Sequence, residues 1–181
     1  METRALVRIA LVAALIGALG FVPPVFLPIA AGVPVSAQTL GVMLAGLLLG
    51  ARGGAAACAL FALVVLLGAP LLSGGRGGLG VLAGPTVGFF LGFIPGAFVT
   101  GWLAQRLRLP ALVSAILAAV VGGVGVIYLC GVPALALVAG ISLQQALIGS
   151  AVFLPGDLLK AVAAAVLAST VLKSWRIPAR A

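Results

Sequence analysis

The stretch PALVSAILAAVVGGVGVIYL, Pro110 to Leu129, carries no charged residue over twenty positions. A helix of about that length reaches roughly 30 Å, the thickness of the hydrocarbon core of a bilayer. The stretch shows no alternation of polar and apolar residues, which a strand of a membrane barrel requires. Hydrocarbon offers no water to backbone groups, so a span is either a helix or part of a closed barrel. The rest of the chain agrees with the helical choice. Of its 181 residues 64% are apolar and 7% are charged, against about 25% charged in a soluble domain. Residues 1–181 therefore read as a single, all-α polytopic membrane domain.

The formal net charge of +8 raises the question of nucleic acid. The ten basic residues are dispersed between apolar runs and form no patch with interleaved aromatics, so no nucleic-acid partner is expected. Cys58 and Cys130 lie in different apolar segments, without metal-ligand spacing, and read as small core residues. There is no histidine, which removes the commonest metal ligand and His-based acid–base chemistry. No catalytic residue, metal site or cofactor is expected.

The apolar segments can be taken in order. Met1 to Gly20 resembles a signal peptide, with Arg4 and Arg8 before an apolar run, yet apolar segments continue beyond it, so a retained first span from about Ala5 to Phe21 is expected. Ala10, Ala14 and Ala18 form a smooth stripe along it. The segment from Val22 to Val35 holds Pro23, Pro24, Pro28 and Pro34 and cannot be a regular helix. Ser36, Gln38 and Thr39 follow, with Ser36 or Thr39 as the expected cap of the next helix and Gln38 free to reach a ligand. A short second span covers Thr39 to Gly50, Arg52-Gly53-Gly54 marks a tight turn, and a third span covers Ala55 to Leu67.

The connection from Gly68 to Gly84 has six glycines after residue 73, with Arg76 among them. Gly75, Gly77 and Gly80 match a dinucleotide fingerprint in letters only, because no strand precedes them and no acidic residue follows. The fourth span, Pro85 to Trp102, carries Gly84, Gly88, Gly92 and Gly96 in steps of four, a groove for tight packing, with Thr86 near its start. The fifth is expected from Pro110 to Leu129, with Tyr128 as an interfacial aromatic. Ser142 to Val152 reads as a short interfacial helix, and 131–153 leaves a seventh span open. The last span runs from Pro155 to Lys173.

Six spans put Arg4, Arg8, Arg52, Arg106, Arg108, Lys173, Arg176 and Arg180 on one side, and the positive-inside rule makes that side, with both termini, cytoplasmic. The chain has only two acidic residues, Glu2 and Asp157. Asp157 lies in an apolar region three residues before Lys160, so both share a helix face. A charge in a span costs about 2.5–3.5 kcal/mol on insertion scales and calls for a reason. One reason is a self-compensating ion pair between helices, the other a binding site. Arg76, Asp157, Lys160, Gln38, Thr39 and Thr86 all map to the outer half, which favours an outward pocket for a small polar solute.

Three motifs carry a family resemblance: Val35-Ser36-Ala37-Gln38-Thr39-Leu40-Gly41, Gly84-Pro85-Thr86-Val87-Gly88-Phe89 and Phe153-Leu154-Pro155-Gly156-Asp157-Leu158-Leu159-Lys160. In this order they resemble the BioY family, the biotin-binding S components of energy-coupling-factor (ECF) transporters. Val87 departs from the second small residue usual there. The resemblance implies a six-helix S-component bundle that captures biotin from outside. It implies that Asp157 and Lys160 hold the ureido ring, and that Gln38 and Thr39 line or close the pocket. Arg76 is assigned the valerate carboxylate. Implied partners are a transmembrane T subunit and two ATPase subunits, docked on Ala10, Ala14 and Ala18, in the plasma membrane. The chain has no phosphate loop of its own. The alternative is a solitary ion-coupled secondary transporter with Asp157 as proton relay, for which a homo-oligomer is the natural partner arrangement.

Overall fold

A computed structural model describes residues 3–23, 25–26 and 34–175. Glu2, Pro24, Pro28, Arg176 and Arg180 lie outside the described residues. Helix α1 (Thr3–Leu19) leads into a minimal antiparallel hairpin of β1 (Val25–Phe26) and β2 (Pro34–Val35), with Val25 opposite Val35. This hairpin is the one departure from an all-helical chain among the described residues.

The helical stretch α2 (Gln38–Leu66) is broken by a kink at Gly50, which adopts φ 73°, ψ −176°. That region belongs to glycine. Past it the chain reverses. A Cβ added to Gly54 would lie 2.9 Å from the Ala45 backbone, although nine residues of straight helix span about 13.5 Å. The α2 helix is therefore two antiparallel limbs, 38–49 and 51–66. The Ser73 N–H, beyond the second limb, donates to Gln38 Oε1 at the start of the first (3.0 Å). The expected second and third spans are these limbs, with the turn falling at Gly50 rather than at 52–54.

A short 3₁₀ turn (Leu79–Ala83) precedes α3 (Val87–Arg106). Then α4 (Ala111–Ala118), a π-helical stretch (Ala119–Val126) and α5 (Ile127–Ala139) form one apolar rod of 29 residues. The fifth span thus runs ten residues past the expected Leu129, through Pro133, to a left-handed Gly140. Most of the ambiguous 131–153 segment belongs to this rod and to α6 (Leu143–Ala151), whose nine residues are too short to cross. A capping box between Ser142 and Gln145 starts α6. Helix α7 (Leu154–Trp175) closes the fold.

By length and composition α2, α3, the α4–α5 rod and α7 can cross a membrane. With α2 folded into two limbs and α1 beside them, the bundle has six long helical rods among the described residues. Small residues bring these rods together. The α3 groove receives the α4–α5 rod: a Cβ on Gly92 would lie 3.1 Å from that of Cys130, and one on Gly96 3.0 Å from the Gly122 carbonyl. Gly46 faces the Ala97 carbonyl of α3 just as closely. Ala161, Ala164, Ala165 and Ala168 seat α7 against Met43, Leu44 and Leu47. In lipid such close contact replaces hydrophobic burial as the force that holds helices together.

The two ends of the bundle differ. The α2 reversal, the end of α3 and the end of α7 surround a cavity lined by Gly50, Gln105 and Lys173. Arg52, Arg106 and Arg108 adjoin it in sequence. The end of α1 at Gly20 lies at the other end, 3.0 Å from Gln38 Nε2 as measured from an added Cβ.

Candidate functional site: a polar pocket at one end of the bundle

The first turn of α7 places a carboxylate where the positive end of the helix dipole favours it. Asp157 is 5% exposed. Its Oδ1 accepts from Thr39 Oγ1 (3.0 Å) and Lys160 Nζ (2.8 Å), and its Oδ2 accepts from the Tyr128 hydroxyl (2.7 Å). Two carboxylate oxygens offer about four lone-pair sites, so one on Oδ2 remains available. Lys160 commits its three protons: to the Ser36 carbonyl (2.7 Å), to Asp157, and to Thr39 Oγ1 (3.4 Å). The last is the longest and the easiest to surrender to an incoming carbonyl.

The glycine-rich connection supplies the second polar group. Leu72 and Arg76 bridge each other through their backbones, and Gly74 and Gly75 close the turn between them at φ 83° and 72°. Side chains rarely adopt such φ values, so the glycines fix this turn. It aims the Arg76 guanidinium at the cavity. Nε donates to the Ser73 carbonyl (3.2 Å) and Nη1 to Thr86 Oγ1 (3.0 Å). Arg76 has no carboxylate partner among the described residues. Its half-burial draws its pKa below the ordinary guanidinium value through desolvation.

All six residues singled out as ligand contacts, Gln38, Thr39, Arg76, Thr86, Asp157 and Lys160, line one cavity. The space within and at the mouth of the cavity is about 620 Å³, open solvent included. Phe89, Phe90, Phe93 and Phe153 supply an apolar wall.

Several individual roles differ from the expectation. Gln38 is 1% exposed and its amide is committed to protein: Nε2 to the carbonyls of Ile16 (3.2 Å) and Leu71 (3.0 Å), Oε1 to the Ser73 N–H. It clips α1, α2 and the glycine-rich turn together. Neither Ser36 nor Thr39 occupies the cap position, which is Ala37. Ser36 Oγ accepts instead from the Gln38 N–H (3.3 Å), and Thr39 turns inward to Asp157. Tyr128 is not an interfacial anchor. The rod continues past it, and its ring meets that of Phe89 edge-on at 5.8 Å while its hydroxyl reaches Asp157. Tyr128 and Ser73 are pocket residues that sequence reasoning missed. The three alanines of α1 lie elsewhere: Ala10, Ala14 and Ala18 are exposed, opposite the buried Ile9, Val12 and Ile16.

The chain is similar to known proteins over nearly its whole length. The profile described as the BioY family matches residues 1–177. The biotin transporter BioY of Rhizobium etli is 50% identical, with all of both chains covered. That of Rhodobacter capsulatus is 46% identical over 90% of each. The crystal structure of the S-component for biotin from an ECF-type ABC transporter superposes with a TM-score of 0.87 at 30% identity, covering 95% of this chain and 92% of that one.

Proposed function

This chain belongs to the BioY family, and from that membership and its pocket we propose that it is the biotin-binding membrane subunit of a vitamin uptake transporter. It is a carrier subunit, not an enzyme. The observation that carries the reading is the Asp157–Lys160 pair, held by Thr39, Tyr128 and the Ser36 carbonyl at the head of an apolar cavity. Biotin has a ureido ring with two N–H donors and one carbonyl, an apolar bicyclic body and a carboxylate on a flexible chain. Asp157 Oδ2 accepts a ureido N–H, and Lys160 donates to the ureido carbonyl in exchange for its long bond to Thr39. The phenylalanine wall takes the apolar body. Arg76, a cavity-lining cation that meets no carboxylate among the described residues, takes the valerate.

The pocket faces the outside and both termini face the cytoplasm, in keeping with the basic residues at the opposite end. Delivery inward then depends on an ECF module, a T subunit with two ATPases, docked along Ala10, Ala14 and Ala18.

Equilibrium binding of biotin to the purified chain in detergent tests this reading. Hydrogen bonds to charged groups contribute about 1.5–3 kcal/mol, so Asp157→Asn and Lys160→Ala should each weaken binding about tenfold to hundredfold. Unchanged affinity in both variants would show that the pair is structural and that the ligand lies elsewhere.

A further inference from the structure

Ser73 stands at the tip of the glycine-rich turn, 2% exposed, and lines the cavity. Its backbone is fully engaged, the N–H by Gln38 Oε1 and the carbonyl by Arg76 Nε. Its hydroxyl makes no hydrogen bond to any of the described residues. A buried hydroxyl without a partner costs about 1–3 kcal/mol, so a position that retains one in a ligand cavity calls for a use. The other hydroxyls of the lining are engaged: Ser36 Oγ by the Gln38 N–H, and Thr39 and Tyr128 by Asp157. Thr86 Oγ1 accepts from Arg76, and its own proton goes to no acceptor among the described residues.

Each of the groups gathered here has a proton left to donate. Arg76 contributes the N–H groups left after Ser73 and Thr86 are served, while Ser73 and Thr86 each contribute an O–H. No carboxylate joins them among the described residues, since Asp157 is paired with Lys160. Such a set matches an anion with several lone pairs and a planar head.

We propose that the Ser73 hydroxyl is a specificity-determining contact for the carboxylate of the ligand, acting beside Arg76 and Thr86. The proposal rests on the biotin reading and adds to it a residue and a chemical role. Gln38 is the part of the scaffold that fixes it, because its amide holds the Ser73 N–H in place. The site therefore distinguishes a carboxylate from a neutral head group through a donor outside the Asp157–Lys160 pair.

The test uses the full chain in detergent and two ligands, biotin and biotinamide, which differ only at the head of the side chain. Wild type should bind biotin more tightly. Ser73→Ala should weaken biotin about tenfold or more and biotinamide less than about threefold. The ligand-free melting temperature should not fall, because the substitution removes an unpaired buried hydroxyl. Ser73→Cys, which keeps the volume but donates poorly, should show the same selective loss. Equal losses for both ligands, or undiminished biotin affinity in both variants, would overturn the assignment while leaving biotin binding in place. Wild type that binds neither ligand would overturn the biotin reading and this one together.

Discussion

Asp157 is tolerated among apolar helices because both of its oxygens are met by donors. Lys160 is three residues away on the same helix, but Thr39 and Tyr128 come from distant segments. Tyr128 is the one hydrogen-bond partner of Oδ2 among the described residues, and Oδ2 is the oxygen that retains a free lone pair. Replacing it by phenylalanine keeps the edge-on ring contact with Phe89 and removes only the hydroxyl. A lost bond to a buried charge is worth about 1.5–3 kcal/mol. Tyr128→Phe should therefore weaken biotin at least tenfold in a calorimetric titration. Wild-type affinity in the variant would mean that the hydroxyl does not orient Asp157 for the ligand. The Asp157–Lys160 pair itself was readable in the sequence, because a charge in an apolar run stands out. Tyr128 was not, because an aromatic near the end of an apolar run is the usual sign of a membrane interface. Its real position depends on the π-helical stretch at Ala119–Val126, which alters helical register just before it. Gln38 lines the pocket as expected, and its side-chain carbonyl and amide are also engaged by backbone, a scaffold role that its position in the sequence did not show.

The hairpin inside α2 depends on Gly50 more than on any other residue. Its φ and ψ lie where side chains are strained, and the Gln105 side chain of α3 crowds the space where a Cβ would go. Strain of that kind costs about 1–3 kcal/mol. Gly50→Ala should lower the thermal midpoint of the detergent-solubilised protein by several degrees, read by tryptophan fluorescence. A midpoint equal to that of wild type would show that the reversal is set by packing and not by the hinge. The sequence announced this turn through Arg52-Gly53-Gly54 but placed it a few residues late, since glycine spacing marks a bend without fixing which residue turns. The α3 groove was legible for a simpler reason. Glycines in steps of four leave one continuous hollow, and the rod fills it. The rod's length was not legible. Gly131 and Pro133 lie just past the expected end at Leu129, yet Gly131 is the seat of the Phe89 ring and Pro133 is carried within the helix. Neighbouring helices re-satisfy what a proline removes in a membrane.

In the molecule as a whole the proposed capture site and the proposed docking face lie apart. The ligand groups sit at one end, while Arg52, Arg106, Arg108 and Lys173 cluster in sequence around the elements that meet at the other. Ala10, Ala14 and Ala18 run along the outside of α1 and take no part in lining the pocket. An indole at Ala14 would project from an exposed face and disturb nothing within the chain. Against an apposed helix it would hold the two backbones apart, because small residues are what permit close approach. Ala14→Trp should therefore bind biotin within about threefold of wild type when purified. In cells that also make the T subunit and both ATPases, the same variant should lose most of its uptake. Uptake at the wild-type rate would move the docking face off this stripe. Loss of binding in the purified variant would mean instead that α1 supports the pocket through Ile16, whose carbonyl accepts from Gln38. The energy source separates the remaining choice. A subunit of an ATP-driven module keeps transporting when an uncoupler collapses the proton gradient and ATP is maintained. A solitary carrier that uses Asp157 as a proton relay stops. Because Asp157 is already paired with Lys160 and met by two hydroxyls, taking up a proton would break that network at each cycle. The expected result is uptake that follows ATP.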